Sequence, residues 1–524
     1  MAVSGSVEET AEPQAGRARG GRRAGRPSHA AAEQKPFRQP RRRFPPVELV
    51  SADELEAIHD ASLTILEEVG MDFLHEEAKA ILKRAGATVD PGSNRVRFDR
   101  AMVTEAIKTC PSEFTLHARN PDRNIRFGGD GIAFGQVASA PNCQDVERGR
   151  RPGSHQDFRD LVKLAQVYNI IHLTGGYPVE PVDIHPSVRH LDCLSDIATL
   201  TDKAFHCYSL GRERNLDAIE IARIARGISS EQLLREPSLF SIINSSSPLR
   251  LDTPMLQGII EMSSRNQIIV MTPFTLAGAM APVTIAGALA QQNAEALAGI
   301  AFTQIVNPGA PAAYGGFTSN VDMKSGAPAF GTPEYMKSAI VGGQLARRYG
   351  LPYRTSNVCA ANTVDAQAAY ESVFSLWGAI MGGGNFIMHA AGWLEGGLSA
   401  SFEKTVLDVD LLQMVAEFLD PVVVDEPSLA LEAVREVGPG AHFFGAAHTQ
   451  ARYRDAFYAP ILSDWRNYES WREGGSPTAM DKAARVWKQA LASYEQPPMD
   501  PAIAEELAAF VARRKAEGGF KTDF

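Results

Sequence analysis

The residues able to do chemistry in this 524-residue chain stand at the ends of short β-rich runs. They are Gln136 and Ser139, Gly175 to Tyr177, Tyr208 and Ser209, Asn244 to Ser247, Thr272, Phe274 and Thr275, Tyr314 to Thr318, Ser356 and Asn357, and finally His389, Trp393 and Glu395. Aromatics, hydroxyls, amides and glycines dominate this set. No lysine ends a run (Lys203 precedes one), which speaks against a Schiff-base aldolase. Glu395 is the one carboxylate near an end, which speaks against a two-carboxylate glycosidase. Such an inventory suits a site that holds and orients a substrate while the reactive species comes from elsewhere. A quaternary ammonium group donates no hydrogen bond and is held by cation–π attraction to aromatic faces. Tyr177, Tyr208, Phe274, Tyr314, Phe317 and Trp393 are candidates for that task, with Glu395 as compensating charge; the alternative for each aromatic is plain core packing. His185, His190 and Cys193, with His206 beside Cys207, complete no four-ligand spacing, so no metal site is expected.

The elements that must position these residues follow a regular rhythm. From Gly131 onward, the runs Ile132–Val137, Ile170–Thr174, Phe205–Leu210, Leu239–Asn244, Gln267–Thr272, Ala312–Phe317, Pro352–Asn357 and Asn385–His389 read as strands. Helical patterns follow each of them: His155–Tyr168, Ser187–Leu200, Leu216–Ala225, Pro254–Ser263, Gln291–Ile305, Pro333–Tyr349, Asp365–Met381 and Phe402–Phe418. Eight strand–helix units over residues 131–419 predict an α/β fold of the (β/α)8 TIM-barrel type, with the site at the C-terminal ends of the strands. A doubly wound open sheet is the other arrangement of such units. It lacks support, because no G-x-G-x-x-G stands at a strand–helix turn and no P-loop occurs.

Residues 49–130 read as a small N-terminal α+β extension. Ser51 and Glu54 form a capping-box pattern, and helices over Glu76–Ala85 and Arg100–Thr109 flank strands at Arg95–Phe98 and Glu113–Leu116. Residues 420–524 read as a C-terminal helical region, with helices at Pro427–Val437, Asp481–Ala492 and Pro501–Glu517. The aromatic stretch Tyr453–Trp471 between them either packs across the barrel or forms a subunit interface.

Residues 1–45 carry nine arginines and Lys35 against four glutamates, a net of +6 in a chain of net charge −10. The stretch Gly16–Pro27 has too little apolar surface to fold, so residues 1–48 are expected to be a disordered basic tail. It is either a solvated extension or a binding arm. The acidic body argues against nucleic-acid binding. No apolar run reaches the ~20 residues a membrane span needs. Five scattered cysteines suit a reducing, cytoplasmic setting rather than a disulfide scaffold.

The stretches Val364–Glu371 (VDAQAAYE), Asn385–Lys404 (NFIMHAAGWLEGGLSASFEK), Tyr314–Ser319 (YGGFTS) and Gly331–Tyr335 (GTPEY) resemble the trimethylamine methyltransferase family, over about residues 45–500. The resemblance implies a barrel enzyme that moves a methyl group from a methylated amine to the cobalt of a separate corrinoid protein. The corrinoid (cobalamin) is then presented by that partner, and homo-oligomerisation is expected. Archaeal trimethylamine enzymes of the family carry pyrrolysine near the segment matching Asn357–Thr363, whereas this chain has standard residues throughout. A quaternary ammonium already leaves as a neutral tertiary amine and needs no special activation. Family members without pyrrolysine are linked to glycine betaine and similar compounds, so a betaine-like quaternary amine is the expected substrate. Trimethylamine, a different barrel chemistry such as a lyase, and a non-catalytic quaternary-amine binder are the alternatives.

Within that resemblance, Trp393 and Phe317, with Tyr314 or Phe274, are expected to contact the ammonium methyls. Asn357 and Gln136 are expected to bind a substrate carboxylate. His389 either contacts the corrinoid and orients substrate or is a buried hydrogen-bonded histidine. Glu395 either faces the cation or anchors its own loop. Gly315, Gly316, Gly396 and Gly397 are expected to let the backbone approach a bulky planar cofactor. Arg354 reads as structural.

Overall fold

In a computed structural model that describes residues 34–520, parallel strands curl around a common axis. Seven of them run in the order Ala133–Gln136, Phe386–Ala391, Tyr353–Ser356, Ala312–Gly315, Ile268–Met271, Leu239–Ile243 and Phe205–His206. The eighth position is filled by a single residue of the expected second strand. Leu173 bridges Gly135 on one side and Ala204 on the other, both in parallel sense. Hydrogen bonds from His172 N to Phe134 O, Gln136 N to Leu173 O and Thr174 N to Ala204 O complete the closure. The expected (β/α)8 barrel is therefore present, with its second strand reduced to a bridge.

Each predicted barrel helix is present to within a few residues, and five start on a Ser, Thr or Asp whose side chain accepts an N–H of the first turn: Ser154, Asp252, Thr332, Asp365 and Ser401. The helix Ile285–Val306 is buried almost throughout. Barrel strands pack on one side of it, and the N-terminal helices Ala52–Thr64 and Arg100–Lys108 pack on the other. That sandwich explains a 22-residue helix without a polar face. Among the described residues no helix is long and apolar enough to cross a membrane.

Residues 34–48, expected to belong to an unfolded tail, are ordered against the barrel floor. Arg38 O accepts from His172, Pro40 O accepts from Ile132 N, and Phe37 packs edge-on against His172. The arginine-rich stretch Gly16–Pro27 lies outside the described residues. At the other end, helix Ala479–Ala492 lies on Phe402–Leu419, where Trp487 stacks near Phe402 and donates to Glu403. Helix Pro501–Ala516 is tied to the barrel by Arg514 and Asp217 at 2.6 Å. In the segment between Leu419 and Ala479, Val422, Phe444, Phe457 and Trp465 stay exposed. The predicted helix over Pro427–Val437 is broken in two at Ala430, which takes a left-handed conformation.

One buried ion pair joins the last barrel helix to the site. Lys404 and Asp408 are fully buried and 2.5 Å apart, and Lys404 also donates to Ser372. Asp408 accepts the Gly392 N–H at 2.9 Å and the Asn357 amide at 3.4 Å. Removing one partner of a buried pair leaves an uncompensated charge. Asp408→Ala is expected to cost roughly 3–5 kcal/mol in a urea titration, and Lys404→Met in the same chain is expected to recover most of that loss. A single variant as stable as the native chain would show that the pair bears no load.

Candidate functional site

The end of the eighth strand shows how local sequence shapes the site. Its pairing with the first strand shifts register between Ile387 and Ala391, a bulge, and His389 within it has φ of 53°. Gly392 follows at φ of 101°, with its N–H on Asp408; a β-carbon there would meet Thr405 Oγ1 at 2.7 Å. The chain then reverses: Trp393–Leu394 pairs with Ser399–Ser401, which joins the hairpin of Asn142–Asp145 and Gly149–Pro152. This small sheet was not foreseen, and it fixes Trp393 beside the barrel mouth.

A cavity of about 290 Å³ opens there, at the C-terminal ends of the strands. Tyr208, Phe274, Phe317 and Trp393 form its aromatic wall, Ser139 and Asn244 add a hydroxyl and an amide, and His206, Arg354 and His389 bring imidazole and guanidinium nitrogens. Ile242 and Met388 line it further in, and Gly396, Gly397 and Leu398 form one edge. The rings are close-set, with His389 and Trp393 centroids 4.0 Å apart, Phe274 and Phe317 5.1 Å, and Phe317 and Trp393 6.2 Å. Gly397 makes this possible, because a β-carbon there would come within 2.6 Å of the indole. Among the described residues no aspartate or glutamate lines the cavity.

Of the residues expected at the site, the structure brings together Tyr208, Phe274, Phe317, His389, Trp393, Gly396 and Gly397, and leaves Gln136, Tyr177, Tyr314, Gly315, Gly316, Asn357 and Glu395 outside the cavity. Gln136 donates to Leu161 O at 2.6 Å. Asn357 donates to Ala390 O at 3.1 Å and to Asp408. Tyr314 donates its hydroxyl to Asn293 and receives Gln292, between strand and helix. Gly315 abuts Thr272 and Gly316 abuts Gln292, so both serve close packing rather than approach to a cofactor. Glu395 does not supply the cavity with charge: its carboxylate accepts Arg150 Nε at 2.8 and 3.0 Å, and its backbone N–H donates to Ala361 O. Its role is to pin the loop that carries Gly396 and Gly397.

Arg354, read from sequence as structural, lines the cavity. It is 2% exposed, and its Nε and Nη1 have no hydrogen-bond partner among the described residues. Burial pulls its guanidinium down to about 10, so it stays charged at neutral pH. The surrounding histidines are neutral. Burial, reinforced by the Arg354 charge, pushes His206 down to about 3; the same causes, with His206 added, hold His389 well below the usual histidine range. His206 Nε2 accepts the Ile242 N–H at 3.0 Å, which assigns the proton to Nδ1. That nitrogen is buried without a partner, as is Trp393 Nε1. His389 Nδ1 lies 3.2 Å from Ser356 Oγ.

Aromatic faces, neutral imidazoles and one buried guanidinium thus meet in a pocket at the mouth of a parallel barrel. The chain belongs to the trimethylamine methyltransferase family, whose model matches residues 17–519. It is 38% identical over 477 residues to the glycine betaine methyltransferase of Desulfitobacterium hafniense strain Y51, spanning 91% of this chain and 99% of that one. It is 29% identical over 481 residues to the trimethylamine methyltransferase MttB of Methanosarcina barkeri strain Fusaro, spanning 90% and 96%. The fold is similar to that of a crystallised hydroxylamine complex of MtmB, with a TM-score of 0.53 at 10% identity over 86% of this chain and 90% of that one.

The neutral histidines set the acid response. His172 on the barrel floor is held at about 4, mainly by burial, alongside His206 at about 3 and His389 lower than usual. Depressed folded values mean that the unfolded chain binds protons first as pH falls through about 6.5, so stability is present above that pH and lost below it. From pH 7 to pH 5 His172 and His206 are each expected to cost roughly 2 kcal/mol, about 4 kcal/mol together, with His389 acting in the same direction. A urea midpoint unchanged between those pH values would show that these rings take up protons in the folded state.

Proposed function

We propose that this chain transfers a methyl group from a quaternary amine of the betaine type to the cobalt of a separate corrinoid protein. The observation that carries the reading is the aromatic pocket at the barrel mouth, whose histidines are neutral and whose lining, among the described residues, holds no carboxylate and no thiol. Loss of a methyl cation equivalent from a quaternary ammonium breaks one C–N bond and leaves a neutral tertiary amine. No proton has to be delivered, so a site whose histidines are held neutral is adequate. Phe274, Phe317 and Trp393 would hold the ammonium by cation–π attraction while excluding water, and His389 would keep the indole in place.

The acceptor's chemistry is a reduced cobalt nucleophile supplied by the partner. The cavity fits such an arrangement on this chain's side: it opens beside Gly396, Gly397 and the half-exposed Leu398, a rim with little side-chain bulk facing the direction of approach. Similarity to a glycine betaine methyltransferase supports the same substrate class. We also infer that the chain forms a homo-oligomer, for which the exposed Val422, Phe444, Phe457 and Trp465 of the C-terminal segment would supply apolar contact surface.

The test is a methyl-transfer assay with reduced free corrinoid, following the cobalt absorbance, with glycine betaine, choline and trimethylamine offered in turn. Turnover with glycine betaine is expected, and turnover with trimethylamine alone would sink the quaternary-amine reading. Trp393→Ala is expected to weaken glycine betaine binding about 3- to 30-fold by calorimetry with the fold intact, the range of one desolvated cation–π contact. Unchanged affinity would remove Trp393 from the ammonium site. Light scattering is expected to give a multiple of the 56.7 kDa chain mass, and a monomer would remove the association claim.

A further inference from the structure

We propose that Arg354 is the carboxylate anchor of the substrate site, so that the pocket selects methylated amines that carry an acid group over those that carry none. The inference rests on the methylated-amine reading above and adds to it the residue that reads the other end of the molecule.

Barrel interiors are normally filled by apolar side chains. The register places Arg354 opposite Gly315 on one neighbouring strand and Phe386 on the other. Phe386 belongs to the apolar cluster inside the barrel, with Phe240 and Val270. Strand alternation therefore directs Arg354 inward as well, onto the layer just above that plug. There its guanidinium carbon lies 5.5 Å from the Phe317 ring centroid. It forms no ion pair and no side-chain hydrogen bond among the described residues.

A buried cation with unsatisfied N–H groups is expensive unless something pairs with it, and buried polar groups in folded proteins are nearly always satisfied. The cavity supplies no carboxylate of its own. Glu395, the nearest acidic residue by sequence expectation, is taken by Arg150. What is missing is an anion, and the guanidinium fork presents parallel N–H donors suited to a carboxylate. His206 Nδ1, buried and unpartnered in the same cavity, is a further donor.

Charge balance leads to the same substrate class. A simple cation such as choline would enter a pocket that already holds one buried positive charge. A betaine brings both signs, neutralising Arg354 with one end and meeting the aromatic wall with the other. Depth then sets the orientation. Arg354 lies within the seventh strand, whereas Trp393 lies beyond the end of the eighth, so a carboxylate held by Arg354 points the ammonium methyls outward to the mouth. That is the side from which a partner's cofactor can reach them.

Calorimetry on the full chain with glycine betaine and with choline, which share the trimethylammonium group, is the first measurement. We expect glycine betaine to bind about 100-fold more tightly than choline, the usual weight of a charged hydrogen-bonded pair. Arg354→Met is expected to abolish that preference while leaving choline binding equal or tighter. Its ligand-free thermal midpoint is expected to stay level or rise, because an unpaired buried charge has been removed. Arg354→Lys should recover part of the preference. Equal binding of the two ligands by the native chain, or a preference that survives in Arg354→Met, overturns the anchor while leaving the methylated-amine reading standing. A lower ligand-free midpoint in Arg354→Met makes the arginine structural and likewise overturns it. A native chain that binds neither compound overturns the parent reading instead.

Discussion

Asp408 gathers three pieces of the molecule that sequence separates. Its carboxylate takes the Lys404 ammonium, the N–H of Gly392 after the eighth strand, and the amide of Asn357 after the seventh. Each is buried, so each contact is held in a low dielectric where an alternative geometry would strand a charge or a donor. The bulge at His389, the reversal at Gly392 and the placement of Trp393 all hang from this point. Loops at a barrel mouth are ordinarily the mobile part of the fold. Here the loop that carries Trp393 is bolted to the last barrel helix from below and paired with the Asn142–Pro152 hairpin from the side.

The barrel was legible in sequence because strand–helix alternation is a local signal repeated eight times. What escaped was pairing at long range. Ser399–Ser401 finds its partner at Asn142–Gln144, more than 250 positions earlier, and such short pieces carry no periodicity of their own. The second strand shows the converse: a good β-rich run, Ile170–Thr174, that the curvature of the barrel reduces to one bridging residue.

At the site, most errors share one cause, the two-residue period of a strand. Strand ends were named as neighbourhoods, and parity then decided which member faced the cavity. Gln136 turns outward to Leu161 of the first barrel helix, and Tyr314 outward to Gln292 and Asn293. In the seventh strand Arg354 faces in, while Asn357 turns toward the outer helix that carries Asp408. His389 escapes this rule because the bulge lets consecutive residues, Met388 and His389, reach the same cavity. Sequence could have flagged Arg354 by its oddity, an arginine between Tyr353 and Thr355 within a strand of a parallel sheet, where buried charge needs a reason.

Burial, with the same charge as a second cause, explains why the pocket's histidines are poor acid catalysts. A permanent cation in a dry cavity raises the cost of any second positive charge nearby, so His206 and His389 stay neutral and can serve as shape and as hydrogen-bonding groups. A reaction that had to protonate its leaving group would be poorly served by this arrangement. A reaction that releases an already neutral amine loses nothing by it. The cation that suppresses acid chemistry is also the group that orients a zwitterion, and one residue thereby constrains both what can bind and which bond is presented at the mouth.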